Sequence, residues 1–329
     1  MAVALDRKRN KMIPERKVLF VTLPGLILPS DIINVIFLLF LLLLTVICAS
    51  RVESWYLLAP LYLIMLASIA FLVWRHRGNP TPCEALLRRW YPLAFVVIIF
   101  FSLSRIVHHV LPYDIDSELQ AIDYAIFRVH PTVFVAPFVN PYAMDALQLF
   151  YASYYFLPVI LAVRLYSRRR MDEFEATASA ICLAFYLFYI GNILFPSCGP
   201  SQTMQSIHTV PLQGKWVGDF IRWLLFALEP YKWDCFPSGH VGVTTVTLVY
   251  CYRFERRIFW GMLPVGVGLI LSTVLLRYHY VIDVIAGFIL AGIVVILSDA
   301  IRRAWCHRVL FTPAQSFSQA STQPDKNIS

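Results

Sequence analysis

Apolar runs nearly as long as a bilayer is thick recur from residue 32 to residue 301, and they narrow the possible folds more than any other feature of the chain. In hydrocarbon every backbone N–H and C=O needs an internal partner, so runs of this kind cross as α-helices. A crossing takes about 20 residues. Eight runs approach that length: 32–49, 56–74, 91–110, 143–166, 176–195, 238–254, 259–276 and 280–301. The last three are short or contain Gly and Pro, so their ends are the least defined. Hydrophobic residues make up 59% of the chain and charged residues 15%, a balance outside the range of ordinary soluble domains. The expected fold is all-α, a polytopic membrane bundle of about eight transmembrane helices.

The net charge of +8 raises nucleic acid as a partner, and its distribution argues against one. With the N-terminus placed inside, twenty-one of the 28 lysines and arginines fall in inner segments. The seven left outside are Arg51, Arg105, Arg128, Lys215, Arg222, Lys232 and Arg277. The positive-inside rule then puts both termini in the cytoplasm. The lead-in before residue 32 is too long for a cleavable signal, so the first run is expected to stay as an anchor.

The chain divides into four parts on this reading. Residues 1–31 are a basic tail whose segment 18–28, broken by Pro24-Gly25, suits the membrane interface. Residues 32–142 hold the first helices and an outer loop. Residues 143–303 are the core, and 304–329 are a cytoplasmic tail, rich in Ser, Gln and Thr from Pro313 and expected to be disordered. In the outer loop 111–142, Ile115, Leu119, Ile122 and Ile126 recur at helical spacing and predict a short helix lying on the outer surface. Cys48, Cys182 and Cys251 sit in apolar runs as small hydrophobes. Cys198 and Cys235 share the second outer loop, 196–237, and can pair if it meets an oxidising compartment.

Two short motifs fall on that same outer side. Pro237-Ser238-Gly239-His240 opens one run, and Arg277-Tyr278-His279-Tyr280-Val281-Ile282-Asp283 opens another. His279 and Asp283 are four apart, which puts both on one face if the helix includes them. A carboxylate accepting from Nδ1–H fixes the tautomer and frees Nε2 as a nucleophile. A helix start after Ser238-Gly239 presents unpaired N–H groups that suit a phosphate, with the Ser238 hydroxyl as a further donor or simply as the cap. His240 has the pKa range to protonate a leaving alkoxide. Arg277 can grip phosphate oxygens as a fork. Lys215 and Arg222, seven apart, share a face if that stretch is helical, and either hold phosphate or remain solvated. Gly199 and Pro200 form a turn near the motifs. Gln148, Tyr151 and Tyr155 share a helical face, as an aromatic belt or as a headgroup pocket.

These motifs resemble those of the type 2 phosphatidic acid phosphatase superfamily. Pro237 to His240 is similar to its second motif, and Arg277, His279 and Asp283 are similar to its third. The first motif, Lys-x6-Arg-Pro, is not intact: Lys215 and Arg222 keep the spacing, and Trp223 stands where Pro would be. The compact Arg-x-His-Tyr-x-x-Asp form resembles the inositol phosphorylceramide synthase and sphingomyelin synthase branch, as do Cys235 and Gly199-Pro200. The resemblance covers about residues 145–300. It implies a six-helix catalytic core, His279 as nucleophile, Asp283 as its orienter and His240 as general acid. It implies a lipid phosphate or phospholipid substrate on the extracytoplasmic face, with water or an alcohol such as a sphingolipid as acceptor, and no metal or cofactor.

Two rival readings remain at this level. His240, His279 and Asp283 also satisfy a two-His-one-carboxylate metal site. Ionisable residues within a membrane protein equally serve a lipid transporter or a binding protein without catalysis.

Overall fold

The computed structural model describes residues 27–76, 80–228 and 232–311. Of the expected tail 1–31, residues 1–26 lie outside the described residues and Pro29 to Asp31 already belong to the first helix; the tail from Pro313 lies outside them as well. Every regular element among the described residues is helical. The main ones are α1 (Pro29–Ile47), α2 (Trp55–Arg75), α3 (Pro82–Leu103), α4 (Asp116–Phe127), α5 (Pro141–Ala152), α6 (Leu157–Ser167), α7 (Met171–Leu194), α8 (Gly218–Leu228), α9 (Gly239–Phe254), α10 (Arg256–Leu275) and α11 (Val281–Phe311).

Six of the described helices, α1, α2, α3, α7, α10 and α11, are long and apolar enough to cross a membrane. A seventh crossing is available if α5 and α6, bent by 47° at their junction, count as one span. The remaining expected span is α9, whose 16 residues reach about 24 Å, short of a full hydrocarbon layer. It needs no lipid contact, because it packs among α6, α7, α10 and α11 and most of its side chains are buried.

Several boundaries differ from the sequence reading for local reasons. The third span starts at Pro82 rather than at residue 91. Thr81 and Glu84 form a reciprocal capping box, with Pro82 at the first helical position. The last helix runs on to Phe311, past the expected end of the core at 303. The α5–α6 break falls at a 3₁₀ turn, Ser153–Tyr155, just before Pro158, whose missing N–H does not support a continuous helix.

The core has two lobes that share α7. One packs α1, α2 and α3 against one side of α7. The other packs α6, α9, α10 and α11 against its opposite side. At the start of α7 a buried polar network ties the first lobe together. Arg88 Nη1 donates to Asp31 Oδ1 at 2.5 Å, Arg88 also pairs with Oδ2, and the Tyr91 hydroxyl joins the same carboxylate. Glu175 Oε1 accepts from the Ser30 hydroxyl at 2.5 Å and from Ser179 at 3.2 Å. Arg88, counted among the inner bases, is therefore a paired interior charge.

The helix expected in 111–142 is α4, and only part of its apolar stripe is covered by protein. Leu119 is buried, Ile122 and Ile126 point outward, and Asp116 and Asp123 turn in beside Leu119. The acids win that face because each accepts two backbone N–H groups of other elements.

Candidate active site

The site forms at the far end of α7 from the Arg88 network, where the starts of α9 and α11 meet the 196–237 loop. Gly191 of α7 touches this junction: a Cβ there would lie 2.4 Å from Pro237 Cδ. Ser238 caps α9, its Oγ accepting from Val241 N at 3.3 Å. Ser238 N in turn donates to the Asp283 carbonyl at 3.2 Å, which joins the two motifs through backbone. Ser238 is fully buried and serves as the cap. Gly239 has only Phe188 and Tyr154 near its Cβ position, both at 3.9 Å.

His279 and Asp283 meet, though not across one helical face, because α11 begins only at Val281. Asp283, in the first turn, reaches back so that Oδ2 accepts from Tyr280 N at 2.8 Å, and this brings it to 3.4 Å from His279 Nδ1. Asp123 takes the next two N–H groups of the helix, Val281 at 2.8 Å and Ile282 at 2.9 Å. Two aspartates thus satisfy three of the donors that a helix start leaves open. The turn before them is made by Arg277 in the left-handed region (φ 64°), closing the C-terminus of α10 where glycine is usual.

Cys235 completes this cluster. Its thiol donates to Asp283 Oδ2 at 2.9 Å and lies 3.5 Å from His279 Nδ1. Burial and the neighbouring carboxylate push the thiol well above its ordinary pKa, so it stays protonated. Cys198 and Cys235 are both free and form no disulfide. Cys235, His279 and Asp283 are also the one group of three metal-capable side chains among the described residues. His240 is not part of it, so the metal set of the rival reading is not assembled among the described residues.

His240 faces His279 across a cavity, the ring centroids 5.7 Å apart. Tyr151 stacks on His240 at 4.4 Å, with its hydroxyl 3.4 Å from Nδ1. Tyr154 packs on the same imidazole at 4.2 Å. Tyr155, expected on the face of Gln148 and Tyr151, is 43% exposed instead. The break after Ala152 rotates Tyr154 inward in its place. Gln148 is buried and donates to the Tyr278 hydroxyl at 3.0 Å. Gly199 is wedged against Cys235 and the Tyr278 carbonyl: its φ is +86°, and a Cβ would meet Tyr278 O at 2.5 Å and Cys235 Sγ at 2.9 Å. Pro200 is buried beside it and starts a short turn. Asp116 holds this turn, accepting from Cys198 N at 2.7 Å and Gly199 N at 2.8 Å.

The basic residues are distributed differently from the expectation. Arg277 does not line the two-histidine cavity but an adjoining one, together with Arg222, His208 and Gln205. Burial and the nearby Arg222 pull its pKa down. Lys215 is exposed and lies before α8, so it shares no helical face with Arg222. The helix starts late because Asp145 accepts from Trp216 N at 2.9 Å and Gly218 N at 2.7 Å, fixing the turn ahead of it. The sequence reading did not place Tyr154, Lys232 or Asp234 at the site. The last two line the cavity, and only their place five and three residues ahead of Pro237 hinted at them.

No curated protein and no solved structure matches the chain. The family model of the PAP2 superfamily matches residues 117–297, a stretch that begins in α4 and takes in both histidines, Asp283 and the loop between them. That match covers more than half of the sequence, and the chain belongs to the PAP2 superfamily.

Proposed function

We propose that the protein is a membrane-embedded lipid phosphoester phosphatase or phosphotransferase that works through a phosphohistidine on His279. Superfamily membership supports the phosphatase-type class. The observation that carries the mechanism is the pairing of His279 Nδ1 with Asp283 at 3.4 Å while His240 stands across the same cavity.

The steps follow from those positions. Asp283 holds the proton on Nδ1 of His279, so the Nε2 lone pair attacks phosphorus. A P–N bond forms as the P–O bond to the leaving group breaks. His240 gives its proton to the departing oxygen. The first N–H groups of α9 have no intrahelical acceptor and can bear the phosphoryl charge. Water or an alcohol then attacks phosphorus, His240 takes the incoming proton, and the P–N bond breaks. Water makes the enzyme a phosphatase and an alcohol makes it a transferase. Cys235, which donates to Asp283, and Gly199-Pro200, whose Gly199 lies against Cys235 and Tyr278, are features similar to the inositol phosphorylceramide synthase and sphingomyelin synthase branch and support the transferase arm. The charge pattern supports an active site on the extracytoplasmic face, with both termini in the cytoplasm.

Purified protein offered a panel of lipid phosphates and phosphodiesters, with chelator present, tests this. Released phosphate that disappears in His279→Ala is expected for the phosphatase. A new lipid product that needs an added alcohol is expected for the transferase. Wild-type turnover in a well-folded His279→Ala protein would sink the mechanism.

A further inference from the structure

One apolar side of α8 is covered by no element among the described residues. Trp216, just ahead of the helix, is 73% exposed, Phe220 is 60% exposed and Trp223 is 63% exposed. With Ala227, also exposed, they recur at intervals of four, three and four, which sets them along one face. A second side is the core face, where Ile221 and Leu225 pack in the cluster that holds Met144 and Tyr151. A third is polar, with Asp219 and Arg222 paired at 3.0 Å. At 11 residues the helix reaches about 16 Å and cannot cross a bilayer. A short helix with aromatic residues on one side and charges on another suits the membrane interface.

Its place in the fold says what meets the aromatic side. α8 packs along α5. Asp145, near the start of α5, fixes the turn ahead of α8. Trp216 meets Tyr142 edge-on at 5.3 Å, and Tyr142 is itself exposed. The stripe on α8 therefore continues the exposed surface of the α5–α6 pair, where Leu149 and Phe156 also face outward. As a crossing, that pair turns this surface to lipid. Trp and Tyr gather where hydrocarbon meets headgroups, and Tyr142, Trp216 and Trp223 form such a group. The same helix reaches the two-histidine cavity, whose wall includes Leu225 and Phe226.

We propose that α8 docks in the leaflet on the side of the site, with its Phe220–Trp223 face among the lipid chains, and that this seat holds Leu225 and Phe226 in place as the cavity wall. A lipid embedded in that leaflet then depends on the seat for turnover more than a substrate dissolved in water does. This last statement rests on the phosphohistidine reading. The docking does not.

Depth in the bilayer tests the docking directly. Phe220→Cys and Asp219→Cys, each made in full-length Cys83→Ser protein, are labelled with a fluorescent maleimide and placed in nanodiscs, and the signal of the Cys83→Ser parent is subtracted. Lipids carrying a nitroxide on the acyl chain should quench the label at 220 about twofold or more, and the label at 219 clearly less. Equal quenching at the two positions would overturn the orientation. No quenching at either would overturn the docking and leave a protein partner, such as a second copy of the chain, on that face.

The kinetic arm compares a long-chain lipid phosphate held in the nanodisc with a short-chain, water-soluble one. Phe220→Glu puts a charge on the lipid side, and should lower kcat/KM for the long-chain substrate about tenfold and for the short-chain one clearly less. Phe220→Leu, which stays apolar, should keep most of both. Equal losses from Phe220→Glu on the two substrates would overturn the dependence on the seat. No turnover of either substrate by the unsubstituted protein would count against the phosphohistidine reading, and the quenching would still decide the docking.

Discussion

Asp283 gathers its hydrogen bonds on one oxygen. Oδ2 receives the Cys235 thiol, Tyr280 N and the His279 edge, while Oδ1 is buried with no partner among the described residues. Removing the thiol leaves that carboxylate with fewer donors, at a cost of about 1–3 kcal/mol. Cys235→Ala is expected to lower kcat about tenfold or more with little change in KM. Cys235→Ser, which keeps a donor, should retain more activity, and equal losses in the two would rule out the hydrogen bond as the cause. His208 offers a second residue-scale test. Its folded pKa of about 4 lies below the ordinary 6.5, so between those values the unfolded chain holds more protons. Its contribution to stability is complete above about pH 6.5 and shrinks as pH falls toward about 4. NMR should show no His208 titration between pH 5 and 7 in the ligand-free protein. At this scale His240, His279 and Asp283 were legible, since each lies in a short motif whose chemistry depends on local spacing. Tyr154 was not, because its orientation depends on where a helix breaks. The placement of Arg277 was not either, because its left-handed turn sends the side chain to a neighbouring pocket.

Among the elements, α4 shows how far periodicity reaches. The isoleucine spacing identified the helix, but the buried face belongs to Asp116, Leu119 and Asp123. An apolar face that meets lipid leaves the same spacing as one that meets protein, so hydropathy cannot separate them. The acids decide it by capping other elements. Asp123→Ala strips two charge-assisted bonds from the start of α11, worth about 2–4 kcal/mol together. The melting temperature should fall by about 5 °C or more, and activity should fall with it because His279 and Asp283 flank that helix start. Ile122→Ala, on the outward face, should shift melting by less than about 2 °C. A larger loss from Ile122→Ala than from Asp123→Ala would mean that the helix is turned over.

For the whole molecule, hydropathy located the crossings well and their number less well, because a short buried helix and a bent pair both escape a rule based on length. The ends of the elements supply what length does not. The starts of α1 and α7 lie together, joined by Ser30 and Glu175. The start of α5 lies at the other end with the site, where Asp145 fixes the turn before α8. The end of α6 returns to the first end, where Arg164 pairs with Glu255 at the close of α9 at 3.5 Å. The bent pair therefore runs from one end of the bundle to the other, as a single crossing does. Between Cys83 and Lys215 lie α3, the bent pair and α7. Three crossings put these residues on opposite sides of the membrane, whereas a re-entrant pair would put them on the same side. Cys83 is exposed at the start of α3, and a cysteine at 215 would be exposed ahead of α8. In intact cells a membrane-impermeant maleimide, located by peptide mapping, should label Lys215→Cys at once and Cys83 only after permeabilisation. Labelling of both at the same stage, whether before or only after permeabilisation, would make α5 and α6 a re-entrant hairpin. The reverse order would keep the crossings and move the two histidines to the cytoplasmic face, against the charge asymmetry of the loops.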